Sequence, residues 1–122
     1  MTGLMLTLPA PTPSQNEYGQ WHWAKRHKWT RTAEMFLGAV LRRSGWIAPA
    51  QPVRMSVEVV RYSAGTLDEG NLIGGAKGLI DALVRLGLLH DDSPRWCACT
   101  YRQEKATRKS GRTEVTIARA AP

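Results

Sequence analysis

The 122 residues are enough for one domain with a modest hydrophobic core, and an apolar share of 43% is ordinary for a globular protein. Seventeen lysines and arginines against ten acids give a net charge of +7, which favours a polyanionic partner, most simply a nucleic acid. No apolar run approaches membrane-spanning length and the N-terminus lacks the basic region of a signal peptide, so we expect a cytoplasmic protein with no membrane partner.

The chain begins with a predicted strand, a turn and a helix. Leu4–Leu8 alternates loosely between apolar and polar residues and is followed by three prolines. A turn is expected over residues 14–18. Apolar residues then recur with helical spacing from residue 30 to residue 43, and Ser44 and Gly45 provide a stop signal.

Between that turn and that helix, three tryptophans lie among basic side chains. Aromatic rings stack on unpaired bases and cations bind phosphates, so this segment is a candidate DNA contact. The residues that carry this prediction are Lys25, Arg26, Lys28 and Trp29. An alternative stays open, in which the tryptophans pack a loop onto the core.

The second half of the chain is predicted to hold three strands. Residues 53–62 alternate clearly, and residues 95–105 and 112–119 form two further strands, the first carrying Cys97 and Cys99 as small, reduced residues. Ser110 and Gly111 indicate a hairpin whose tip carries Arg108 and Lys109, either solvated or in contact with phosphate. With a second helix between the first of these strands and the other two, the order β-α-β-α-β-β predicts one α+β domain over residues 1–122, a mixed sheet with helices packed on it.

That second helix lies in residues 66–94 and has acids on both sides. Its apolar positions share one face, and Asn71 is placed to cap its start. Asp68 precedes the helix, where the helix dipole favours negative charge, but Asp91 and Asp92 follow it, where the dipole disfavours negative charge. If the chain turns back, the two groups of acids could meet and supply oxygen ligands for Mg²⁺. Solvated turns are the alternative.

The same segment resembles the RusA family of Holliday junction resolvases, which occur in bacteria and their prophages. The matching residues are Asp68, Asn71–Leu72, Lys77, Asp81–Ala82–Leu83, Gly87 and Asp91–Asp92. The N-terminal LPAPTPSQNEY is a weaker match to the family's first strand and turn.

In that family three aspartates bind Mg²⁺ and a lysine assists. By position these residues correspond to Asp68, Gly70, Asp92 and Lys77, so a glycine stands where the family has its second aspartate. The interval before Lys77 is also longer than in the family and contains Gly74 and Gly75.

The resemblance implies a homodimeric, Mg²⁺-dependent endonuclease that binds four-way DNA junctions and resolves them by paired symmetric nicks in recombination and repair. Asp68 and Asp92 are expected as catalytic metal ligands, Asp91 as a supporting ligand, and Lys77 as positive charge at the phosphate. Lys77 also has the spacing for an ion pair with Asp81.

The glycine at position 70 leaves two outcomes open. We expect that the chain cuts poorly because Gly70 supplies no oxygen ligand, unless a backbone twist at Gly70 lets Glu69 take over. The alternative function is a protein of the same fold that binds branched DNA without cleaving it.

Overall fold

One mixed four-stranded sheet organises the fold in the computed structural model, which describes residues 3–120. Its strands are β1 (Leu4–Leu8), β2 (Met55–Ser63), β3 (Cys97–Lys105) and β4 (Arg112–Arg119), in the spatial order β1-β4-β2-β3. β2 runs parallel to β3 and antiparallel to β4, and β1 runs antiparallel to β4. The predicted mixed sheet of a small α+β domain is therefore confirmed.

The core lies between one face of this sheet and the helices. The helices are α1 (Gln15–Gln20), α2 (Trp23–Ser44), α3 (Glu69–Gly75) and α4 (Lys77–Arg85), and a 3₁₀ turn spans Arg108–Ser110. Alternate strand residues such as Leu6, Val57 and Val115 are buried against Leu37 of α2 and Leu83 of α4. Within residues 3–120, no helix has the length and apolarity needed to span a bilayer.

The first helical region begins earlier than the sequence predicts. The expected turn at residues 14–18 is α1, whose start is capped by the Ser14 hydroxyl accepting from the Glu17 backbone N–H at 3.0 Å. α2 starts at Trp23 instead of Thr30, because the His22 ring nitrogen accepts from the Ala24 N–H at 3.2 Å and caps the helix there. Apolar periodicity does not indicate these first turns, since they are mostly basic and aromatic.

The second predicted helix is two helices that meet at Ala76. Glycine favours a helix less than any residue except proline, and Gly74 and Gly75 come just before the break. Gly75 also packs so tightly on the backbone of the β1–α1 loop that a Cβ atom would lie 1.8 Å from the Pro13 carbonyl oxygen. α4 then ends as the sequence indicates, with Gly87 in the left-handed region at φ 78°.

The predicted hairpin between the last two strands is wrong. β3 and β4 are not neighbours, because β2 lies between them. The connection from residue 106 to residue 111 contains the 3₁₀ turn and contacts β2. This connection is long enough to cross the end of β2, whereas a two-residue hairpin turn can join only neighbouring strands.

Candidate functional site

Asp68 is the N-terminal cap of α3, a position that the sequence had assigned to Asn71. One carboxylate oxygen of Asp68 accepts from the Asn71 backbone N–H and the other accepts from the Asn71 side-chain amide, both at 2.9 Å. These hydrogen bonds lower the pKa of Asp68, so its exposed carboxylate is ionised at neutral pH. Asn71 instead links two helices, since its amide oxygen accepts from the Asn16 N–H at 2.9 Å.

The segment before Asp68 is fixed to the far end of β3. The Gln103 side chain accepts from the Leu67 N–H at 3.0 Å and donates to the Leu67 carbonyl at 2.6 Å. Gln103 is paired with Arg61 near the end of β2. Asp68 therefore lies at the C-terminal end of the parallel strands β2 and β3.

Asp91 and Asp92 lie just before β3 begins. One oxygen of Asp91 accepts from the Asp92 backbone N–H at 2.8 Å, and this hydrogen bond lowers the pKa of Asp91. Burial raises the pKa of the Cys97 thiol to about 12, and a hydrogen bond with Cys99 adds to the effect. The Ser93 carbonyl accepts from the Cys97 N–H at 2.9 Å. Asp92, the residue before Ser93, therefore lies near the first residue of β3, at the N-terminal end of the parallel strands.

One chain consequently does not bring the two groups of acids together. Gln103, beside Asp68, is six residues further along β3 than Cys97, beside Asp92. At roughly 3.3 Å per residue those six residues span about 20 Å. From residue 3 to residue 120, no three His, Cys, Asp or Glu side chains form a group that could hold a metal ion. The structure of a single chain therefore keeps Asp68 apart from Asp91 and Asp92.

Gly70 lies in the first turn of α3, beside the cap. A Cβ atom built there would be 3.6 Å from a carboxylate oxygen of Asp68, an ordinary contact distance. An aspartate at position 70 is therefore sterically permitted and would lie next to the Asp68 carboxylate. Gly70 has no positive φ, so the backbone twist considered for Glu69 is not present.

Lys77 is the first residue of α4 and faces α2. Its ammonium group lies 3.7 Å from a carboxylate oxygen of Asp81, which confirms the ion pair expected from the sequence. Arg85, one turn further, pairs with Glu34 of α2 at 2.8 Å instead of with Asp81. Lys77 lines a groove between the two helices, and Asp68 does not line that groove.

The basic and aromatic segment forms α1, α2 and the bend between them. The Lys25 ammonium lies 4.5 Å from the centre of the Trp21 ring, and the Arg26 guanidinium lies 6.0 Å from that of Tyr18. Lys28 is exposed. Trp29 is half-buried against Gly78 of α4 and the core, so packing accounts for it, as in the alternative interpretation. Trp23 is 67% exposed, although the sequence did not distinguish it from the other tryptophans.

The other predicted DNA contacts, Arg108 and Lys109, are exposed on the 3₁₀ turn. They line a shallow groove with Pro9, Ala10 and Ser63. Nearby arginines on the strands instead form ion pairs with glutamates. Arg102 pairs with Glu58 and Glu104, and Arg112 pairs with Glu114 at 2.9 Å. The charges of those two arginines are therefore offset within the sheet.

The chain matches no model of a known protein family and no curated protein. The resemblance to the RusA family therefore rests on the residue pattern between Asp68 and Asp92.

Proposed function

We propose that this protein is a Mg²⁺-dependent endonuclease that binds four-way DNA junctions as a homodimer and resolves them by paired nicks. The observation that carries the proposal is the exposed, ionised Asp68 at the cap of α3, next to position 70, where the resembling family has a second acid. Lys77 on the following helix and the net charge of +7 also support binding to a phosphate backbone.

The separation of the acids argues for two copies. Asp68 and Asp92 lie at opposite ends of β3, so both can serve one cation only if each comes from a different chain. A two-fold axis makes any contact between two copies occur twice, and two identical sites suit two symmetric cuts. We propose that Asp68 of one copy meets Asp91 and Asp92 of a second copy.

The side chains have separate tasks in this proposal. Mg²⁺, when bound, would supply positive charge to the scissile phosphate and lower the pKa of water. Asp68 is already ionised at neutral pH because hydrogen bonds from Asn71 stabilise its carboxylate. Lys77 adds a second positive charge and is oriented by Asp81. The unpaired basic side chains of α2 hold the DNA backbone.

A second candidate is a protein of the same kind that binds branched DNA and does not cut it. Gly70 favours this candidate because glycine provides no carboxylate beside Asp68. A divalent cation held by fewer carboxylates is bound more weakly, which would stop cleavage while leaving the basic surface intact.

Cleavage of a synthetic four-way junction, with and without Mg²⁺, tests the two candidates. We expect the parent to cut poorly and Gly70→Asp to gain Mg²⁺-dependent cutting, because the new carboxylate lies beside Asp68. Gly19→Asp is the matched control, since it adds the same charge on α1 where a Cβ atom meets nothing within 4 Å.

Other outcomes separate the alternatives. A Gly70→Asp protein that binds junctions and never cuts them would favour the non-cleaving function. A parent that cuts at full rate and is inactivated by Glu69→Gln would show that Glu69 is the missing ligand. Sedimentation showing only a 13.6 kDa monomer at micromolar concentration would exclude the dimeric site.

A further inference from the structure

A groove of about 410 Å³ runs between the N-terminal half of α2 and the start of α4. Its size falls within the range of about 300–1,000 Å³ that is usual for ligand sites. The side chains that give it chemical character are Trp23, Arg26, His27, Lys77, Asp81 and Arg85. One wall is therefore aromatic and basic, and the other wall carries both signs of charge.

Trp23 gives this groove an exposed aromatic face. Trp23 is 67% exposed, whereas the nearby Trp29 is half-buried against α4. The His22 ring lies beside that of Trp23, tilted by 39° at a centroid distance of 5.4 Å. An exposed indole on a folded surface is a platform on which an unpaired base can stack.

The cations of the groove are placed for a phosphate. Arg26 lies beside Trp23 in the lining, and within residues 3–120 its guanidinium forms no ion pair with a carboxylate. Lys77 on the opposite wall is 64% exposed at its side chain, but its ammonium lies 3.7 Å from Asp81, which offsets its charge. Residues 21–43 contain six lysines and arginines and one acid, Glu34, so the positive potential of the whole α2 surface favours a polyanion.

Asp81 makes the groove selective for a particular kind of nucleic acid. A carboxylate in the lining repels phosphates that pass close to it, which disfavours a duplex backbone lying along the groove. An unpaired adenine, cytosine or guanine has an exocyclic amino group that can donate hydrogen bonds to a carboxylate. Trp23 can stack only on a base whose face is free, and the bases of a continuous duplex are stacked on one another.

We infer that this groove binds one unpaired nucleotide of the DNA, with its base stacked on Trp23 and its phosphate held by Arg26, on the wall opposite Asp81. This inference rests on the proposed DNA binding and deepens it, because it assigns a separate contact to the unpaired nucleotides at a branch point.

Fluorescence anisotropy with two labelled probes, a single-stranded oligodeoxycytidine and a duplex, tests the inference, because cytosine has the amino donor that Asp81 can accept from. We expect Trp23→Ala to weaken binding of the single strand about tenfold, which is within the range for loss of one stacked base. Duplex binding should change less than twofold. Trp23→Phe should recover most of the affinity, because phenylalanine keeps an aromatic face. Phe36→Ala is the matched control, since it removes another exposed ring of α2 that does not line the groove.

Equal weakening for the two probes would overturn the inference, and so would an unchanged affinity of Trp23→Ala for the single strand. A parent that binds neither probe would overturn it together with the proposed DNA binding. If the parent cuts junctions while Trp23→Ala binds the single strand normally, the nuclease proposal stands and this inference fails. If Trp23→Ala weakens binding of the single strand selectively while neither the parent nor Gly70→Asp cuts junctions, the inference holds and the nuclease proposal fails.

Discussion

Gly75→Ala tests the contact that holds α3 against the loop between β1 and α1. The added Cβ atom would lie 1.8 Å from the carbonyl oxygen of Pro13, and 3.4 Å is the lower limit of an ordinary contact. Either the end of α3 or the Pro13 backbone must therefore move by about 1.6 Å, the difference between those distances. A backbone carbonyl cannot rotate out of the way as a side chain can.

Two opposing contributions determine the stability of Gly75→Ala, the higher helix propensity of alanine and the cost of overpacking. Alanine is favoured over glycine within a helix by about 1 kcal/mol, and φ at Gly75 is not positive, so alanine is compatible with the local backbone. Overpacking costs about 1–3 kcal/mol, and the rigid carbonyl places this site at the upper end. We expect a net loss of about 2 kcal/mol in the free energy of unfolding. For a domain of this size that corresponds to a fall in Tm of about 8 °C.

Gly74→Ala is the matched control for this experiment. Its Cβ atom would lie 2.5 Å from the side-chain end of Gln15, which is exposed and can rotate away. We expect its stability to be unchanged or raised by up to about 1 kcal/mol. Urea denaturation of both variants measures the difference, provided that the slope with denaturant stays constant. A Gly75→Ala protein as stable as Gly74→Ala would refute the close approach of α3 to Pro13.

Three further predictions concern charged residues. Asp68→Asn keeps an oxygen that can cap α3, so its denaturation midpoint should match the parent and exceed that of Asp68→Ala; equal losses in the two variants would contradict the capping role. The same Asp68→Asn protein should bind junction DNA without Mg²⁺ at least as tightly as the parent, since it removes a negative charge. Replacing Arg108 and Lys109 by glutamine should reduce the salt dependence of DNA binding measured by anisotropy, and an unchanged slope would place both side chains away from phosphates.

Elements with a regular local pattern could be predicted from the sequence. The alternation of β2 predicted that Met55, Val57 and Val59 face the core, and all three are buried. The helical spacing predicted the buried Leu79 and Leu83 of α4. In both elements the period of the apolar residues matches the geometry of the structure, so nearby residues carry enough information.

The features that were missed depend on contacts between distant parts of the chain. The break after Gly75 is reinforced by its packing on Pro13, a contact that no local pattern contains. The position of β4 depends on its pairing with both β1 and β2. The distance between Asp68 and Asp92 follows from the register of the parallel strands, although a helix flanked by acids suggests a single site. The exposure of Trp23 could not be predicted either. Trp23 and Trp29 lie on the same helix and differ only in the residues that pack against them.

The central position of β4 also constrains the order in which the domain can fold. Within residues 3–120, β1 has only β4 as a strand partner, and the pairing of Leu4 with Ile117 joins residues that are far apart in the sequence. β2 and β3 are nearer in sequence and can pair across a single α3–α4 crossover. Closing a longer loop costs more entropy and slows the formation of the contacts it brings together. The pairing of β1 with β4 is therefore expected to form late, whereas the packing of β1 on α2, which is close to it in sequence, can form earlier.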